Sequence, residues 1–165
     1  MTIKGGFNVA SVLSPLRADK DICNSNESPL ACELRVHNPI IAIISLEQWW
    51  GDKPAEDYAA YMRQIVEYTI EQGVVPVLAT KADNLEGDNS VNRAIAQVAY
   101  EYDIPLWNFW GATYVLPDHG LSGDGFHLTF ARNFFDDPLR MESSWPWRNL
   151  TALQSLDAVW RGATE

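Results

Sequence analysis

Gly123-Asp124-Gly125-Phe126-His127-Leu128-Thr129 sets a carboxylate and an imidazole three residues apart in a glycine-rich stretch. Within one turn of chain, Asp124 can accept a hydrogen bond from one ring nitrogen of His127 and fix its tautomer, which leaves the other nitrogen free as a general base. Gly123 and Gly125 give the backbone the freedom to make that turn. The competing reading has Asp124 capping a short helical turn and His127 as an ordinary half-buried polar residue, because motifs this short recur by chance.

A general base asks for a nucleophile. The elbow sequence Gly-x-Ser-x-Gly does not occur in the chain. Gly120-Leu121-Ser122-Gly123 comes nearest, with Asp124 standing where the last glycine should be. Ser45 follows an apolar run and reads as a small residue at a strand end. Cys23 and Cys32 flank a polar stretch containing Pro29, and a local disulfide is the expectation, with two unpaired thiols in a reducing compartment as the alternative. A metal site would want closer pairs and more ligands than three scattered histidines supply, so neither metal nor cofactor is expected.

The elements that must hold these residues follow from hydrophobic periodicity. Val9, Val12 and Leu13 predict a short helix behind Gly5-Gly6, and Arg17 to Asn38 reads as a polar surface excursion. Pro39 to Leu46 is a continuous β-branched run, apolar on both faces, which predicts a central strand buried in a parallel sheet. Pro54 opens a helix over residues 55–72 with Tyr58, Tyr61, Met62, Ile65 and Thr69 on one face, and Gly73 closes it. A second strand follows at 74–80. Asn89 is expected to cap a helix over 89–102, and Leu106 to Trp110 to form a third strand. Residues 130–147 read as turns rich in aromatics, and Asn149 as the cap of a last helix. Strand and helix in alternation predict an α/β fold, a three-layer α/β/α sandwich around a short parallel sheet. Ligands in such sheets sit at the carboxyl ends of strands, here Ser45 to Trp50, Thr80 to Asp83 and the loops after Trp110.

At 165 residues the chain is expected to form one domain over 1–165. A composition 47% hydrophobic and 21% charged is that of a globular protein. The longest apolar run is too short to cross a bilayer. A net charge of −10 repels phosphate backbones and argues against a nucleic-acid partner.

From Val74-Val75-Pro76-Val77-Leu78-Ala79-Thr80-Lys81-Ala82-Asp83 through Asp124-Gly125-Phe126-His127-Leu128-Thr129, the chain resembles the later two-thirds of an SGNH hydrolase, the GDSL-type lipase and esterase family. The family's last motif is Asp-x-x-His, so the resemblance implies that His127 is the base and Asp124 its orienting partner. Val12-Leu13 behind Gly5-Gly6 resembles the block in which a glycine amide donates to the oxyanion, which implies that role for Gly6. The family's third block, Gly-x-Asn-Asp, falls on Glu47-Gln48-Trp49-Trp50, so the oxyanion asparagine corresponds to Trp49, or to Gln48 with a shift of one residue. The family's nucleophilic serine lies in a Gly-Asp-Ser block on a first strand ahead of Gly5. The resemblance therefore implies a flavodoxin-like sheet lacking its first strands, a domain incomplete at its N-terminus and a weak or inactive enzyme.

The implied substrate is a carboxylic ester, acyl or acetyl, on a small molecule or an acylated carbohydrate. A homodimer through the sheet edge left open at Ile40 to Leu46 is a further expectation. The cysteine pair suggests an extracellular or cell-surface setting, with its signal segment upstream of Met1. The alternative function is a noncatalytic carbohydrate- or partner-binding relic of the fold, with Trp49, Trp50, Trp107 and Trp110 lining a sugar-stacking cleft.

Overall fold

The computed structural model describes residues 7–47 and 54–164. Three parallel strands, β1 (Ile41–Ile44), β2 (Val75–Ala79) and β3 (Leu106–Trp107), lie in the order β1-β2-β3. Among the described residues five α-helices accompany them: α1 (Pro29–His37), α2 (Ala55–Glu71), α3 (Ser90–Glu101), α4 (Phe109–Thr113) and α5 (Ser144–Thr164). The chain is thus α/β, as its alternating pattern predicts.

The pleat sorts side chains to two cores, because successive residues of a strand face opposite ways. Ile44 and its register partner Leu78 join Tyr58, Met62, Ile65 and Val66 of α2 and Val91, Ile95, Val98 and Ala99 of α3. Val77 and Ala79 face the other way, with Trp107 and Phe109, and receive Trp147, Ala152 and Val159 of α5. Helices therefore cover both faces, with α2 and α3 on one side and α5 on the other. Among the described residues β1 is an edge strand, not the central one its apolar run suggests, and Ile41, Ala42 and Ile43 are only half-buried. Its β-branched residues are apolar on both faces because helices cover both, a condition that an edge position also meets.

Four boundaries differ from the sequence-based expectation, each for a local reason. The stretch Arg17 to Asn38 contains α1: Ser28 Oγ accepts from Ala31 N–H at 3.2 Å, Pro29 supplies the first-turn position that needs no amide donor, and Asn38 ends the helix at φ 41°. Asn89 precedes α3 with φ 55°, yet its side chain does not cap it. That work falls to Asp88, whose Oδ1 accepts from Ser90 N–H at 2.9 Å, and to Glu86, which accepts from Val91 N–H at 3.3 Å. The third strand stops at Trp107 because Asn108 accepts from Gly111 N–H at 2.9 Å and starts α4. The last helix begins at Ser144, five residues before Asn149, and Pro146 sits in its first turn, where a missing N–H is harmless. Asn149 is then a helix residue that donates through Nδ2 to Asn133 at 2.9 Å.

Cys23 and Cys32 form a disulfide with Cα atoms 5.3 Å apart, which ties the N-terminal loop to α1. Among the described residues no helix is long and apolar enough to cross a membrane.

Candidate active site

Residues 120–129 fold as a short antiparallel hairpin. Ser122 N–H donates to the His127 carbonyl at 2.7 Å, Thr129 N–H donates to the Gly120 carbonyl at 2.8 Å, and Leu121 bridges Leu128. Gly125, at φ 69°, makes the tip, while Gly123 has no left-handed backbone and is not needed for the turn. Leu121 and Leu128 pack on the core cluster that contains Ala79, Ala82 and Trp107, so the hairpin is seated at the carboxyl ends of β2 and β3.

The tip brings Asp124 and His127 together: Oδ2 of the carboxylate lies 2.6 Å from Nδ1 of the imidazole. Asp124 Oδ1 accepts from Phe126 N–H at 3.0 Å, His127 N–H at 2.9 Å and the Ser122 hydroxyl at 2.8 Å. A carboxylate fed by this many donors stays ionised. The His127 ring foremost, then the Phe126 and His127 amides and the Ser122 hydroxyl, hold it well below the usual carboxylate range. An ionised acceptor on Nδ1 selects the tautomer that carries its proton there, so the lone pair is left on Nε2. The His127 side chain is 73% exposed and its ring meets Phe126 edge-on at 4.9 Å. The Ser122 hydroxyl, placed between Asp124 Oδ1 and the His127 carbonyl at 2.9 Å, is bonded to the aspartate rather than to the imidazole.

The other expected site residues divide. Gly6, Gln48, Trp49 and Trp50 lie outside the described residues. Ser45 is exposed just beyond β1. Trp107 is 4% exposed and packs 5.1 Å from Phe109 inside the core, which leaves it no open face for a sugar. Trp110 is half-buried and stacks on His119 at 5.8 Å, with Tyr114 edge-on to the same imidazole.

A second polar cluster lies at the carboxyl ends of β1 and β2, within the stretches Ser45 to Trp50 and Thr80 to Asp83 expected to meet a ligand, and draws in Glu86 beside them. Lys81 Nζ is 2.9 Å from Asp83, 3.1 Å from Glu86 and 3.7 Å from Glu47. The Lys81 and Asp83 side chains are both buried, while Glu47 keeps 41% of its side chain exposed. Burial works against the Lys81 ammonium, but Glu47, Asp83 and Glu86 outweigh it and raise Lys81 above its ordinary value. Loss of hydration, reinforced by the charge of Asp83, pushes the Glu47 carboxyl up to about 7. The visible signal was a Lys-x-Asp sequence directly after a buried strand, where a charge pair must be folded inward.

Cys23, Glu27 and Cys32 bring candidate ligand atoms within 4.8 Å of one another, but both sulfurs belong to the disulfide. No family model and no curated protein matches this chain.

Proposed function

We propose that this protein is a hydrolase of carboxylic esters working by a Ser-His-Asp mechanism, of the SGNH type that its motifs resemble. The observation that carries the reading is the 2.6 Å contact between Asp124 Oδ2 and His127 Nδ1 on an exposed hairpin tip at the carboxyl side of the sheet. In this reading His127 Nε2 takes the proton of a serine hydroxyl as it attacks the ester carbonyl, then returns it to the departing alkoxide. Asp124 holds the ring and stabilises the imidazolium formed in between. Gly6 with Gln48 or Trp49 would donate to the oxyanion, and substitution of the small amide normally used there is worth roughly a hundred- to a thousandfold in rate.

No described serine hydroxyl is hydrogen-bonded to the His127 imidazole, and Ser122, the nearest in sequence, donates to Asp124 Oδ1 and the His127 carbonyl, so the 165-residue chain should be a slow esterase. The substrate class is a small acyl or acetyl ester, free or on a carbohydrate. The disulfide supports an oxidising, extracellular setting. The noncatalytic sugar-binding alternative has less support, because Trp107 is withdrawn into the core.

The test is turnover of a short-chain aryl ester by the 165-residue chain and by the same chain preceded by any in-frame coding sequence upstream of Met1. The expected result is slow release by the first form, and faster release dependent on His127 by an extended form carrying a Gly-Asp-Ser block. An extended form with that block that folds and stays inert would remove the hydrolase reading. Fast turnover by the 165-residue chain, lost in His127→Ala, would instead assign the nucleophile to Ser45 or Ser122.

A further inference from the structure

Beyond the bonds of its own turn, in which Asp124 accepts from Ser122, Phe126 and His127, the Asp124/His127 pair has little around it to hold it. The two side chains are 51% and 73% exposed, on the tip of a two-stranded hairpin, and a hairpin of this size is marginal by itself. Its geometry has to be imposed from its base. There Gly120 opens the first arm and Thr129 closes the second, and both are gripped by Ser144, the first residue of α5.

Ser144 is fully buried. Its hydroxyl donates to the Gly120 carbonyl at 2.5 Å, and its N–H donates to Thr129 Oγ1 at 2.9 Å. Thr129 Oγ1 in turn donates to the same Gly120 carbonyl at 3.0 Å, and the next amide, Trp145 N–H, donates to the Thr129 carbonyl at 3.0 Å. The Gly120 carbonyl thus collects the Thr129 amide, the Thr129 hydroxyl and the Ser144 hydroxyl. Three consecutive left-handed residues, Asp118, His119 and Gly120, bring the chain into this clamp, at φ 47°, 55° and 69°. Two of them are not glycine, a conformation that surrounding contacts must enforce.

We propose that Ser144 is a positioning residue for the Asp124/His127 pair: by locking the register of Gly120 against Thr129 it fixes the distance between carboxylate and imidazole at the tip. The inference rests on reading that pair as a working acid-base couple. Register is the property at stake, since a slip of one residue in a hairpin turns every side chain beyond it to the opposite face. The clamp also refers the hairpin to the sheet, because α5 carries Trp147, Ala152 and Val159 into the core and Trp147 Nε1–H donates to the Ala112 carbonyl at 2.6 Å. Neither Ser144 nor Thr129 touches the imidazole in any bond of the structure, so their influence on it passes through the hairpin.

The experiment reads the tautomer of His127 by long-range nitrogen-proton NMR on protein labelled at histidine nitrogen, with His127→Ala to assign the signal among His37, His119 and His127. In the wild type the neutral ring is expected to carry its proton on Nδ1. In Ser144→Ala that fraction should fall by about twofold or more, as the aspartate no longer sets the tautomer. Thr129→Val, which removes the hydroxyl shared by Ser144 and Gly120 and keeps the β-branched shape, should move it the same way and decides the matter where Ser144→Ala does not fold. A clamp that merely stabilises the fold would lower the melting temperature and leave the tautomer of the folded protein unchanged, and that outcome overturns the inference. A wild-type ring protonated on Nε2 would overturn the Asp124/His127 couple itself, a failure distinct from that of the clamp.

Discussion

The side chain of Ser144 fills the space that any side chain at Gly120 would need: a Cβ built on Gly120 would lie 2.5 Å from Ser144 Cβ and 2.9 Å from Leu116 Cδ1. Gly120 also stands at φ 69°, where only glycine is free of strain. Gly120→Ala therefore meets backbone strain and overpacking together, and should cost about 2–5 kcal/mol in all. Thermal denaturation followed by circular dichroism would check it. A change under about 0.5 kcal/mol, the range of ordinary surface substitutions, would mean that the turn relaxes at no cost and that the contact does not define the hairpin base.

The disulfide closes a loop between residues nine apart in sequence. Restricting the unfolded chain over such a loop is worth about 2–3 kcal/mol in the chain-entropy account. Cys32 is buried on α1, so the loss should appear first in the N-terminal segment and only then in the sheet. Melting with and without reductant, beside a Cys23→Ser/Cys32→Ser double variant, measures the total. Equal melting temperatures for all forms would show that α1 and its cap hold the segment without the staple.

Much of the fold could be read in advance, because long apolar-periodic windows are decided by burial. The apolar face of α2, from Tyr58 to Thr69, and the strand Val75–Ala79 follow directly from it. The errors fall where short polar side chains choose between two local bonds. Asn108 ends β3 by capping α4, Ser28 and Pro29 start α1 inside a stretch that looks like loop, and Ser144 and Pro146 begin α5 ahead of Asn149. Each of these residues is compatible with turn and cap alike, and the tertiary partner decides.

At the site, the three-residue spacing of Asp124 and His127 was enough to foresee their contact, since both groups sit on one tight turn. Lys81 with Glu47, Asp83 and Glu86 had no such spacing, because Glu47 comes from a different strand end. The clamp at Ser144 was equally hidden, formed by residues 24 and 15 positions apart.

Glu47 gives a pH prediction whose sign follows from its displaced carboxyl. Burial first, then the charge of Asp83, pushes the Glu47 carboxyl up to about 7 in the folded protein from an ordinary value of 4.5. Between these values the folded chain holds a proton that the unfolded chain has released, so this residue's contribution to stability falls as pH rises through the window and is largest below it. Its 41% exposure screens the effect. Glu47→Gln, neutral throughout, should flatten the decline in melting temperature between about pH 5 and about pH 8. Identical slopes for the variant and the wild type would show that Glu47 titrates normally.

Asp124 separates stability from chemistry. The carboxylate is half-exposed and its ion pair with His127 faces solvent, so Asp124→Ala should affect the melting temperature far less than the chemistry. If His127 is a base that needs its tautomer fixed, the same substitution should lower His127-dependent ester turnover by about a hundred- to ten-thousandfold, falling on kcat rather than KM because the ring's role is confined to the transition state. Asp124→Asn is the sharper form, since it keeps the shape and can still accept from the Phe126 and His127 amides while giving up the negative charge. It should retain the melting temperature and lose rate nearly as far as Asp124→Ala. The measurement is steady-state turnover of a short-chain aryl ester by the form that shows activity, beside thermal melts of the same preparations. Full rate in Asp124→Asn would mean that the charge does not act on His127 in catalysis. The 2.6 Å contact would then be a surface turn's own hydrogen bond and nothing more.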